Sequence, residues 1–285
     1  MSTPTSGQRR RQFLLLLPLL LFFGLFVAAP LLLLAGVSLH DDAAMTQRGL
    51  GQYLKFFGDG FNRAILLETL RLAAGAVALS ILIGYPVAYL YTLLPRRWQP
   101  LLMFAILMPL LTSAVVRTFS WVVILGREGL VNQIVAALGL SEAPLRLLYT
   151  PGAVVVAVAQ IEMPMMVLPL ISCLAAIDPQ LRDASLTLGA GRWHTFRRVI
   201  LPLSVPGLLA GSLLVFAASA SAFVTQTLIG GGRMIFMPFY IYQQAIQAQD
   251  YPFAGAIAVV LLASVLAVVT AVNYLGRMSK GFVHG

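Results

Sequence analysis

Six stretches of roughly twenty or more predominantly apolar residues recur along this chain, at about 13–39, 65–94, 101–125, 152–176, 200–228 and 253–275. A run of that length crosses the ~30 Å hydrocarbon core as a helix, and few other structures satisfy their backbone groups there. The expectation is an all-α, polytopic membrane protein with about six transmembrane helices. The polar stretches between runs reach only about 25 residues, too short for a separate soluble domain. One membrane domain is therefore expected over 13–275, with short tails at 1–12 and 276–285.

Composition matters mainly for orientation and for what it excludes. Only 10% of residues are charged and 59% are hydrophobic, so the net charge of +9 points to membrane-loop bias rather than to nucleic acid. Arg9, Arg10 and Arg11 precede the first run, which is too long for a signal-peptide core and reads as a retained anchor. With those arginines inside, the inner segments carry eleven basic residues against six in the outer loops, among them Arg127, Arg146 and Arg233. Both termini are then expected in the cytoplasm. The lone Cys173 lies within an apolar run, which excludes an intrachain disulfide.

The inner segment 178–198 between the fourth and fifth runs has structure of its own. Asp178-Pro179 is a helix start, a capping carboxylate followed by proline. Leu181, Ala184, Ser185 and Leu188 then fall on one small, mostly apolar face, and Gly189 and Gly191 end the helix. Trp193, Phe196 and Ile200 continue an apolar stripe, so two short helices meeting at an angle are expected. Periodicity leaves two roles open: an amphipathic segment lying on lipid headgroups, or a docking element for another subunit.

The spacing Asp183-Ala184-Ser185, three residues, Gly189, nine residues, Val199, one residue, Leu201-Pro202 resembles the "EAA, three residues, G, nine residues, I, one residue, LP" signature of ABC importer permeases. Asp183, Ser185 and Val199 are mild departures from it. The resemblance implies a cytoplasmic coupling helix that docks into a groove of an ATPase, with Asp183, Ala184, Ser185, Gly189, Arg192, Leu201 and Pro202 in the coupling element. No GxxxxGK[ST] loop occurs, so ATP and magnesium belong to a partner ATPase and this chain binds no cofactor itself. Further stretches, "GYPVAYLY" (84–91), "LMPLLTSAVVRTFSWVVILGREGLVN" (107–132) and "TQTLIGGGRMIFMPFYIYQQ" (225–244), look like permeases of the spermidine/putrescine type. Relatives of that type also move opines, ferric iron, thiamine or phosphonates. The partners so implied are a second homologous permease, two ATPase subunits, an extracytoplasmic solute-binding protein and the lipid of a bacterial inner membrane.

Charges inside spans each require an explanation, since one at a helix centre costs about 2.5–3.5 kcal/mol on insertion scales. Arg117 lies about 12 Å and Glu162 about 15 Å in from the outer side, at 1.5 Å per residue. Either they form a structural ion pair, or Glu162, with Gln160, Trp121, Arg117 and Tyr85, lines a translocation path where a carboxylate and aromatic faces suit an amine. Gly207 and Gly211 form a GxxxG suited either to packing within the subunit or to a seam with a partner permease. A stand-alone secondary transporter or channel is the rival reading, poorly matched by so few buried charges. A membrane enzyme is disfavoured because His40, His194 and His284 are scattered.

Overall fold

The computed structural model describes residues 17–141 and 143–280. Arg9 to Arg11, the start of the first apolar run, Glu142 and His284 lie outside the described residues. All regular elements among the described residues are helical, apart from an isolated bridge pairing His40 with Arg48. Five helices are long and apolar enough to cross a bilayer: α1 (Leu17–Ser38), α3 (Gly60–Leu93), α7 (Pro151–Ala175), α9 (Arg192–Ala220) and α12 (Tyr251–Lys280), the last apolar over Tyr251–Tyr274. Between them lie α2 (Gly51–Gly58), α4 (Gln99–Leu107), α5 (Ala114–Leu125), α6 (Leu130–Ala137), α8 (Pro179–Thr187), α10 (Phe223–Gly230) and α11 (Met237–Tyr242).

The third apolar run corrects the sequence expectation. It is not one straight helix but a pair, Gln99–Leu111 and Ala114–Ala137, bent by 98°. A 3₁₀ turn at Met108–Leu111 contains Pro109, and Thr112 and Ser113 are non-helical. Ser113 then restarts the helix by accepting the Val115 N–H at 3.3 Å. The fifth run is corrected at both ends. Its helix starts early, at Arg192, and stops at Ala220, where the Ser221 hydroxyl turns back to Ala217 O; α10 is separate. The anticipated second short helix of the inner segment is thus the first turn of α9. A π-turn at Phe196–Ile200 makes this continuity feasible. The Leu201 N–H reaches Phe196 O, and Pro202, which has no N–H to donate, follows immediately after this widened turn. By contrast α3 and α7 run unbroken through Pro86, Pro164 and Pro169.

The chain divides into two compact units. The first comprises residues up to Gly60 together with Ile241–Val260. Here Gly255 permits close approach to α1, since a Cβ would sit 3.4 Å from Leu34 O and from Ser38 Cβ. Ser38 shares a 2.7 Å hydrogen bond with Tyr53 of α2. Phe56 and Phe253 are buried, and Lys55 Nζ lies 3.9 Å from the Phe253 ring centre and 3.5 Å from Asp250. In the 39–50 loop, Asp42 accepts from the Thr46 hydroxyl and from the N–H groups of Thr46 and Gln47.

The second unit, Phe61–Tyr240 with Leu261–Gly285, is organised around α7. Small residues set its spacing. Gly84 on α3 meets Met166 and Val167, and Ser80 donates to Ala159 O at 3.3 Å. On α9, a Cβ at Gly207 would fall 2.5 Å from Cys173 Cβ, and one at Gly211 2.9 Å from Met166 O. The GxxxG is therefore used within the subunit, against α7. Helices in lipid gain no hydrophobic drive toward each other, so this close van der Waals contact is what holds such a pair.

Candidate functional site

Two groups of side chains stand apart from the apolar packing. The first is built on α8. Asp178 Oδ1 accepts the Gln180 N–H at 2.9 Å and Pro179 occupies the first turn, as the sequence predicts. The helix closes with Gly189 N–H to Leu186 O at 3.0 Å and Ala190 N–H to Ser185 O at 3.1 Å. Such a closure needs a left-handed residue, and Gly189 has φ +81°. Nothing lies within 4 Å of where its Cβ would be, so backbone conformation, not space, selects glycine.

Two hydrogen bonds tie α8 to long helices. Arg182 Nη2 donates to Tyr89 Oη of α3 at 2.6 Å, and Ser185 Oγ lies 2.9 Å from Thr195 Oγ1 of α9. Thr195 is buried. Of the four residues expected on one face of α8, Leu181, Ala184 and Leu188 are exposed, the last at 88%, whereas Ser185 turns inward to its partner. Asp183, Arg192 and Pro202 are exposed and Leu201 is half-buried. The signature is thus mostly exposed on α8, with Ser185 as its inward anchor, and runs from half-buried Leu201 to exposed Pro202 at the root of α9. Beside it, a cavity of about 730 Å³ is lined by Arg182, Arg192 and an aromatic wall that includes Tyr89, Trp193 and Phe196.

The second group lies where helices are interrupted. Trp121 Nε1 donates to Gln160 Oε1 at 3.0 Å, and Arg117 Nη1 donates to the Ile161 carbonyl, also at 3.0 Å. Glu162 is half-buried and makes no salt bridge with Arg117 among the described residues; the guanidinium is held by the backbone one residue earlier. Thr118 and Thr225 share a buried 2.9 Å hydrogen bond between α5 and α10, and Gln226 Nε2 donates to Ser219 O at 2.7 Å. Arg117 Nε, Ser219 Oγ, Gln226 Oε1 and Thr227 Oγ1 are buried without a hydrogen-bond partner. Unpaired buried polar atoms are costly, as they are also at Gln52 Oε1 and Asn62 Oδ1 elsewhere, and interrupted membrane helices are a common setting for solute and ion sites. Tyr85 does not join this group. Its hydroxyl pairs with Ser204 at 2.9 Å and its ring meets Phe196, which places it with the α8 side.

Thr118, Thr225 and Gln226 escaped the reading of the sequence because single hydroxyls and amides in apolar runs are ordinary. Their one signal is crowding: "TQT" at 225–227 places three polar side chains together inside such a run.

Long helices with an ordered connecting helix and a polar, interrupted interior define a polytopic membrane transport subunit. The chain matches the family of binding-protein-dependent transport system inner membrane components over residues 8–279 and belongs to it; it is an ABC importer permease subunit. It is 33% identical over 241 residues to the spermidine/putrescine transport system permease protein PotB of Escherichia coli (strain K12), covering 83% of this chain and 87% of that one. Against PotB of Haemophilus influenzae (strain ATCC 51907 / DSM 11121 / KW20 / Rd) it is 32% identical, with 68% of each chain covered. In fold it is similar to a chain of the bacterial alginate ABC transporter solved with its pentasaccharide-bound periplasmic protein, with TM-score 0.75, 21% identity and coverage of 95% and 96%.

Proposed function

We propose that this permease forms half of the translocation pathway of an ATP-driven importer for a polyamine such as spermidine or putrescine, or a related small organic solute. The observation that carries the coupling role is the form of α8. It offers an exposed apolar face, Leu181 and Leu188, while Arg182 and Ser185 anchor it to α3 and α9. A partner that grips that face pulls on two membrane helices at once. In this reading the α8 end and both termini are cytoplasmic, in line with the basic residues of the inner segments. Two ATPase subunits, ATP and magnesium act there, with Asp183, Ala184, Gly189 and Arg192 at the contact. A second homologous permease completes the pathway, and a solute-binding protein delivers from the opposite side. Closing of the ATPases on ATP moves α8 and switches the side to which the pathway opens, which requires contacts that differ between the two states.

The polyamine assignment draws on the PotB relatives, which are named for the transport of spermidine and putrescine. Glu162, Gln160 and Trp121 supply chemistry that fits it: a carboxylate for an ammonium group and an aromatic face for cation–π contact. Coupling is tested by replacing Leu181 and Leu188 with alanine and measuring membrane insertion and ATPase co-purification separately. Retained insertion with lost co-purification is expected; lost insertion with co-purification intact removes the docking role. Uptake of labelled spermidine by the reconstituted importer tests the solute, and a failure of spermidine and putrescine to be taken up rejects it.

A further inference from the structure

Arg127, Arg146 and Arg233 fall in loops that the charge bias assigns to the outer side, where basic residues are normally sparse. They come from three separate loops and line one cavity of about 400 Å³, floored by Leu125, Leu145, Leu147 and Leu148. Their convergence is built rather than incidental. Asn132, only 6% exposed, donates Nδ2 to Gly126 O at 2.9 Å and to Leu145 O at 3.1 Å, and accepts the Leu145 N–H at 2.8 Å. Gly126 and Leu145 immediately precede Arg127 and Arg146, so one buried amide fixes the roots of both arginines. The third is brought in by Tyr149, whose ring centre lies 5.6 Å from the Arg233 guanidinium and packs against Gly231. Tyr149 itself holds φ +64°, an uncommon conformation for a bulky residue.

Among the described residues no carboxylate lines this cavity, and none of the three guanidiniums is in a salt bridge. Three like charges held over an apolar floor repel one another, and an oxyanion placed among them gains charge-assisted, often bidentate hydrogen bonds. We propose that the three arginines form a carboxylate clamp that receives acidic side chains of the solute-binding protein. The cavity lies at the α7 end opposite α8, about 37 Å away for 25 residues, which in the importer reading is the face that protein approaches. A polyamine is cationic and is repelled by the same cluster, so the charge pattern selects the protein and not its cargo. The clamp rests on that importer reading but is tested apart from it.

The test uses the permease purified with its partner subunits in nanodiscs and, as probe, a fluorescein-labelled hexaglutamate peptide followed by anisotropy. Saturable binding is expected, weakened roughly tenfold by each of R127Q, R146Q and R233Q, the size of one lost charged hydrogen bond. Raising salt from about 50 to about 200 mM also weakens it, through screening. The charge-preserving R127K/R146K/R233K triple variant controls for folding and should bind more tightly than the matching glutamine triple. Equal affinity in wild type and the glutamine variants overturns the clamp. Displacement by citrate at equal carboxylate concentration overturns it too, in favour of a small-anion site. Absent peptide binding with ATPase co-purification retained removes the clamp alone, whereas loss of that co-purification strikes the importer reading.

Discussion

The Ser185 hydroxyl stands 2.9 Å from that of Thr195, across the turn that joins α8 to α9. One partner sits on the exposed connecting helix and the other is buried at the root of a membrane span, so the bond crosses from surface to core. It occupies one of the positions at which this chain departs from the permease signature, and it gives that departure a structural use.

Removing the bond from either side is expected to loosen coupling without dissolving the assembly. Ser185→Ala and Thr195→Val should each lower solute moved per ATP hydrolysed, with ATPase co-purification unchanged. A double-mutant cycle on thermal stability should return a coupling of about 1 kcal/mol. Strict additivity of the two substitutions would mean that the bond carries nothing.

The α7–α9 contact predicts a steep difference among glycines. Gly211→Ala puts a methyl group against Met166 backbone and Gly207→Ala puts one against Cys173 and Pro169 O, and each should cost about 1–3 kcal/mol as overpacking. Gly152→Ala meets nothing within 4 Å and should be neutral or slightly stabilising. Unfolding midpoints in detergent decide the matter; equal shifts at the three sites would contradict the contact.

At mid-depth, Glu162→Gln keeps size and loses charge. The expected outcome is a roughly tenfold rise in KM for spermidine, the equivalent of about 1.4 kcal/mol, with expression and subunit assembly intact. Unchanged transport kinetics would take Glu162 out of the path.

Asp42 offers a test outside the membrane. Hydrogen bonds from the Thr46 hydroxyl, and then from the Gln47 and Thr46 N–H groups, hold its carboxyl at about 2, below the ordinary 3.8. A depressed carboxylate stabilises its loop fully above the ordinary value and loses that effect as pH falls through about 2. Exchange protection of the Thr46 and Gln47 amides, corrected for intrinsic rates, should stay level from pH 7 to 5 and decline below about 4. Asp42→Asn should weaken that protection already at pH 7.

Local chemistry was the most readable part of the chain. Asp178-Pro179 and Gly189 announce the two ends of α8 because a cap and a left-handed residue are decided within a few residues. The 98° bend near Thr112 was not readable, since apolar residues on both sides satisfy the length rule whether or not the helix is straight. Pro109 marks it in hindsight, yet Pro86, Pro164 and Pro169 sit in unbroken helices, so proline alone does not distinguish the cases. At the candidate site the depths of Arg117 and Glu162 could be counted from the sequence, but the carbonyl of Ile161 as the arginine's acceptor could not, because every residue supplies the same carbonyl. The assignment of Gly207 and Gly211 to α7 likewise depended on which helix came alongside.

The tight glycine seam has a consequence for assembly. The groove filled by Met166 and Cys173 is closed to any neighbour along that seam, whereas bulky side chains such as Leu82, Leu111 and Val123 stand exposed at 70%, 81% and 71%, open to lipid or to another membrane subunit. Surfaces of that kind interlock by shape over a broad area rather than by close backbone approach.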